Sequence, residues 1–200
     1  MTPADALRHL KEGNFRFLNG LRMHRDPFDD IQQTREKQSP FAAIVACMDS
    51  RVSTEMVFDL GIGDMFSLRM AGNVVTDGIL GSLEYATSVV GSKLIVVLGH
   101  SNCGAVRGAC DHYRLGHLTP LLELIEPSVQ SAARQVSAPH DSSNGTFVQQ
   151  VAELHVQAAA NQIARRSTVI AGLVSEEKVA IVAAMYDVQT GKVRFFESAA

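Results

Sequence analysis

Two apolar stretches constrain this chain more than any other feature: FAAIVAC at 41–47, and KLIVVL at 93–98, apolar throughout after its lysine. A strand with one wet face alternates polar with apolar residues. An unbroken apolar run of strand length therefore predicts a strand covered on both faces, as in a parallel sheet lined by helices. MFSLRM at 65–70 is a shorter strand candidate, and GSLEYATSVV at 81–90 reads as a helix whose Leu83, Tyr85, Ala86, Val89 and Val90 face the sheet. Strands alternating with helices predict an α/β fold with a mainly parallel central sheet flanked by helices.

The flanking segments complete that outline. Thr2 suits an N-cap and Pro3 a first helical position, so the chain opens on an N-terminal helix carrying Leu7, Leu10, Asn14, Phe17 and Leu18 at a roughly helical period. The polar segment 22–38 predicts irregular backbone or a short helix. Further helices are expected from near Cys103, around Leu121 to Ile125, and over the Ala-, Val- and Gln-rich stretch 147–166, which follows a loop at SAPHDSSNG (137–145). Val179 to Val188 and Val193 to Glu197 flank Gln189-Thr190-Gly191-Lys192 and predict a pair of hairpin-like strands at the C-terminal end. At 200 residues, 46% of them hydrophobic, the expectation is a single domain over 1–200 whose core needs no disulfide.

Charge and cysteine content narrow the partners. With 18 basic and 21 acidic residues the net charge is −3, so no basic surplus exists to neutralise nucleic-acid phosphates. No apolar run approaches the roughly 20 residues of a membrane span. The opening Met-Thr-Pro-Ala-Asp-Ala has neither the basic nor the apolar region of a secretory signal, and a cytoplasmic location is expected. In a reducing compartment, three cysteines serve a metal site or catalysis rather than a disulfide framework.

The chemistry-bearing residues gather where the two strong strands end. Cys47-Met48-Asp49-Ser50-Arg51 follows the first and His100-Ser101-Asn102-Cys103-Gly104 the second. Ligands of open α/β sheets collect outside the carboxyl ends of the strands, so the two clusters are expected to converge. Cys47, His100 and Cys103 then offer two thiolates and an imidazole, a set that suits zinc with one position left open. Taken alone, Cys47 would read as a small core residue, but His and Cys three apart after a second buried strand are hard to explain by packing. Asp49 could fill the open position or hydrogen-bond to what does, and Arg51 could hold its carboxylate in a bidentate pair.

These residues resemble the beta-class carbonic anhydrases. The likeness lies in CMDSRV (47–52), GDMFSLRMAGN (63–73), SLEYA (82–86) and VLGHSNCGAV (97–106), in order and at family-like spacing. Weaker similarity at GNFRF (13–17), at Tyr186-Asp187 and at TGKV (190–193) extends it over most of the chain. The resemblance implies reversible hydration of carbon dioxide to bicarbonate and a proton by metal-bound hydroxide, with one zinc ion per chain on Cys47, His100 and Cys103 and Asp49 with Arg51 as the catalytic dyad. It also implies that Gln38, Phe66 and Tyr85 line the carbon dioxide pocket, at the interface of a homodimer or dimer of dimers. In that picture the backbone N–H of Gly104, at a helix start, or the Gln38 amide would stabilise charge on the substrate oxygen, and the same helix end would favour thiolate at Cys103.

Some members also carry an inhibitory bicarbonate site built partly on a tryptophan three residues before the first zinc cysteine. Ile44 stands there and the chain has no Trp, so that site is expected to be absent or altered. The same motifs serve hydrolases of carbonyl sulfide or carbon disulfide, and a noncatalytic zinc-stabilised binding protein would share the ligands; turnover separates the three. His112 and His117 are of the residue type that shuttles protons, though surface histidines are common, and Cys110 is expected to be a spare buried thiol.

Overall fold

The computed structural model describes residues 1–196; Glu197, the expected end of the last strand, lies outside the described residues. Helix α1 (Pro3–Leu18) starts in a capping box: Thr2 Oγ1 accepts from the Asp5 amide and the Asp5 carboxylate accepts from the Thr2 amide, each at 3.1 Å. The polar segment holds a short α2 (Pro27–Thr34), capped by Asp26. Strand β1 (Ala42–Ala46), α3 (Thr54–Val57), β2 (Met65–Arg69) and a 3₁₀ turn (Ala71–Asn73) follow, then α4 (Asp77–Glu84), which continues as a π-helical stretch over Tyr85–Val90. Next come β3 (Leu94–His100), α5 (Gly104–Cys110), α6 (Leu118–Glu123), α7 (Glu126–Ala133), the long α8 (Gly145–Arg166), α9 (Thr168–Ser175), β4 (Ala180–Tyr186) and β5 (Val193–Phe195). No helix among the described residues is long and apolar enough to cross a membrane.

The five strands form one sheet in the order β2-β1-β3-β4-β5, parallel except for the antiparallel pairing of β4 with β5. The unbroken apolar runs are explained by the period of two along a strand. Ala43 and Val45 with Ile95 and Val97 enter a core under α4, α5, α7 and α8, while Ala42, Ile44 and Ala46 with Leu94, Val96 and Leu98 enter a second core against α1 and α3. Every residue of β1 and β3 is buried. Asn14 joins α1 to that second core, its amide donating to the carbonyls of Val57 and Gly191 at 3.1 and 3.0 Å and its oxygen accepting from the Val193 amide at 2.9 Å.

One expectation needs correction. Within 81–90 Leu83 and Ala86 do face inward, but Tyr85 is 48% exposed and Val89 71% exposed. Helical residues turn by about 100° per step, so Tyr85, two steps from Leu83 and one from Ala86, cannot share the face that those two residues bury.

Candidate metal centre

The sheet order places the crevice. β1 and β3 are hydrogen-bonded neighbours, Ala46 opposite Leu98, yet the chain leaves β1 toward one edge and β3 toward the other. Their carboxyl ends therefore flank the topological switch point, where such sheets bind ligands. Cys47 stands one residue beyond β1, His100 is the last residue of β3, and Cys103 is the N-cap of α5.

All three side chains are buried, and their ligand atoms lie within 4.8 Å of one another. The two Sγ atoms are 3.9 Å apart. Sulfurs bound at about 2.3 Å to one tetrahedral zinc stand about 3.8 Å apart, so the pair has the required spacing. His100 Nδ1 lies 2.9 Å from the Ser101 carbonyl, which only accepts; Nδ1 therefore carries the proton and Nε2 offers a lone pair. That Nε2 is buried without a hydrogen-bond partner. A buried acceptor left unpaired is costly, and a cation between it and the two sulfurs removes the cost. The donor set fits a zinc-type ion.

Electrostatics sort the sulfurs. The contact with the Cys103 sulfur, joined by the amides of Asp49 and Gly72 and opposed by burial, holds the Cys47 thiol well below its ordinary value. The same contact, burial and the Cys47 charge push Cys103 up, while the amides of Val106 and Ala105 at the start of α5 act in the opposite direction.

The Asp49 carboxylate sits beside this cluster, its Oδ2 3.9 Å from His100 Nε2. Arg51 grips it at both oxygens, and the Arg51 amide adds a third bond to Oδ1 at 3.0 Å. Hydrogen bonding from the Arg51 side chain, against some desolvation, holds the Asp49 carboxyl well below the usual carboxylate range.

Three further residues shape the centre without having been assigned a role from sequence. Arg69 donates through Nε to the Cys47 carbonyl at 3.2 Å and through Nη2 to the Asp49 carbonyl at 2.6 Å, pinning the segment from Cys47 to Asp49. The Gly72 amide lies 3.3 Å from Cys47 Sγ, and His155 Nε2 lies 2.9 Å from the Gly72 carbonyl. Arg69 and Gly72 fall inside the quoted motif GDMFSLRMAGN; His155, on α8, carries no local signal.

The remaining expected residues, Gly104 beside Cys103 excepted, belong to other segments than the Cys47, His100 and Cys103 cluster. Phe66 and Tyr85 meet edge to face with ring centroids 6.2 Å apart and, with Ser67, Leu68, Gly78 and Ser82, line an open groove along β2. Gln38 is exposed in the loop before β1, and Gly104 is the exposed first residue of α5. Ile44 and Cys110 are buried, and His112 pairs with Glu126 at 3.4 Å.

Residues 42–193 match the family model described as Carbonic anhydrase. A carbonic anhydrase of Mycolicibacterium smegmatis is 36% identical over 199 residues, covering 96% of this chain and 92% of that protein. Among solved structures, the beta-carbonic anhydrase CafA of Aspergillus fumigatus superimposes with a TM-score of 0.74 at 25% identity, covering 98% of this chain and 91% of that one. A Sordaria macrospora structure, from a study of two tetrameric beta-carbonic anhydrases, gives a TM-score of 0.74 at 22% identity over 84% of this chain and 90% of that one. A family match running from the first strand into the last, joined to a relative aligned nearly end to end, makes this chain a member of the carbonic anhydrases, beta class, and an enzyme of that family.

Proposed function

We propose that the chain binds one zinc ion through Cys47 Sγ, His100 Nε2 and Cys103 Sγ and uses it to interconvert carbon dioxide and bicarbonate. The observation that carries this is the partnerless, buried Nε2 of His100 beside two sulfurs, with an arginine-gripped carboxylate 3.9 Å away. When bound, zinc supplies a Lewis acid that acidifies water. The other tasks fall to the chain itself. Asp49, kept ionised by Arg51, is too weak a base to take a proton at neutral pH; it accepts a hydrogen bond and so orients the attacking water toward the carbon of the substrate. Arg51 fixes that carboxylate in direction as well as in charge, and Arg69 keeps the backbone beneath it in place.

The apolar groove of Phe66 and Tyr85 lies on β2, an edge strand, and is open on one side. We assign it to carbon dioxide, with Gln38 and the Gly104 amide as donors to the substrate oxygen and a second copy of the chain completing the wall, in a homodimer or dimer of dimers. The tetrameric description of the Sordaria relatives supports this reading. Three free thiols suit a reducing, cytoplasmic setting.

Elemental analysis of the purified protein together with stopped-flow carbon dioxide hydration tests the proposal. One zinc per chain with rapid hydration is expected. Sulfide release from carbonyl sulfide without hydration would move the chain to the hydrolases, and stoichiometric zinc without either turnover would leave a binding protein.

A further inference from the structure

Among the buried residues of α8 only His155 is polar; the others, from Phe147 to Ile163, are apolar. It is 3% exposed, at a position where packing alone would favour a leucine or phenylalanine. Its one hydrogen bond crosses 83 residues of sequence to the Gly72 carbonyl. A carbonyl only accepts, so Nε2 carries the proton, and burial holds the ring below its ordinary pKa and therefore neutral. What His155 gives Gly72 is a directed donor and no charge.

Gly72 requires holding. It lies in the left-handed region at φ 67°, as does the following Asn73 at φ 45°, where a side-chain-bearing residue is disfavoured. The Gly72 amide points at Cys47 Sγ while its carbonyl accepts the hydrogen bond from His155, so the peptide groups on both sides of its Cα are fixed, one by the Cys47 sulfur and one by the imidazole. An N–H aimed at a thiolate draws charge from the sulfur and thereby sets how much the sulfur gives to a cation.

We propose that His155 is a positioning residue of the metal centre: through the Gly72 carbonyl it keeps the Gly72 amide on Cys47 Sγ and so moderates that thiolate as a ligand. This rests on the metal reading above. The test uses the intact protein loaded with cobalt or with zinc, comparing wild type, His155→Phe, which keeps a ring but loses the donor, and His155→Gln, which places an amide N–H where Nε2 stood. In His155→Phe the thiolate-to-cobalt charge-transfer band is expected to move to longer wavelength and, because the sulfur is no longer held in position, zinc affinity, measured by competition with a chelator, to fall about 10–100-fold. His155→Gln is expected to restore most of both. Identical spectra and zinc affinities in wild type and His155→Phe overturn the proposal, whereas a wild type that takes up neither metal overturns the metal reading instead. Should His155→Phe fail to fold, imidazole nitrogen NMR shifts of the loaded wild type decide: a proton on Nε2 is expected, and a proton on Nδ1 overturns the role.

Discussion

Arg51 holds Asp49 with two parallel hydrogen bonds, Nε to Oδ1 at 2.9 Å and Nη2 to Oδ2 at 2.7 Å, and its Nη2 also reaches the Asn102 carbonyl at 3.2 Å. The guanidinium thus ties the segment after β1 to the segment after β3, and it aims the Asp49 carboxylate beside the Cys47, His100 and Cys103 cluster. Asp49→Asn should retain the metal while kcat/KM for hydration falls about 10²–10³-fold, the usual cost of losing one precisely placed polar group. Arg51→Lys, a point charge without the fork, should lose about 10-fold. Stopped-flow rates beside metal content measure both, and an Asp49→Asn enzyme of normal rate would remove Asp49 from the mechanism.

The ligand set makes a different prediction. Cys103→Ser and His100→Ala should each purify with most of the zinc missing and with hydration close to the uncatalysed rate. Full metal occupancy in either variant, read by elemental analysis, would show that the ion sits elsewhere.

Acid should weaken the fold through Asp59. Its side chain is 1% exposed and accepts from Arg16 Nε at 2.6 Å, Arg25 Nη1 at 3.2 Å and the Met23 amide at 3.2 Å. Burial pushes this carboxyl up, but the donors outweigh it and leave its pKa below the ordinary value. A group depressed in the folded state stabilises above its unfolded pKa of about 3.9, and that contribution is lost as pH falls through the folded value. Thermal melts should therefore drop steeply below about pH 4 in wild type. Asp59→Asn should be less stable by about 3 kcal/mol at neutral pH, because Arg16 loses its buried partner, and should show a shallower acid limb. Equal slopes in the two proteins would contradict this.

Gly13→Ala probes how α1 is seated. A Cβ there would stand 1.9 Å from the Phe58 carbonyl oxygen, a backbone atom that cannot rotate away. The helix must lift from α3, which also strains the neighbouring Asn14 bonds, and urea denaturation should report a loss of about 3 kcal/mol. A loss under about 0.5 kcal/mol would mean that α1 shifts freely.

What could be read from sequence, and what could not, follows from the range of the interactions. Unbroken apolar runs revealed β1 and β3 because burial on both faces leaves a local imprint, and Cys47, His100 and Cys103 were legible because each sits within three residues of a strand end. The Asp49 and Arg51 pair was legible for the same reason, being two residues apart. Tyr85 and Val89 misled because their apolar side chains fit a helical stripe that the π-helical stretch does not present inward. The helix at Thr168–Ser175 went unread, since TVIAGLVS is rich in β-branched residues that favour strands. His155 and Gly72 act through backbone groups distant in the chain, and no periodicity records such a bond.

The ladder between β1 and β3 sets how the proposed metal would relate to the fold. Because Ala46 and Leu98 are already locked side by side in a fully buried pair of strands, donors from the two halves are assembled by main-chain bonds and packing before any ion arrives. On the proposed zinc reading, a cation would enter a ready-made socket rather than nucleate one, unlike a zinc finger, whose chain is unfolded without its metal. Chelator-stripped protein should then keep its circular dichroism spectrum and regain hydration on simple readdition of zinc, and a cell would be able to make this enzyme first and load it afterwards.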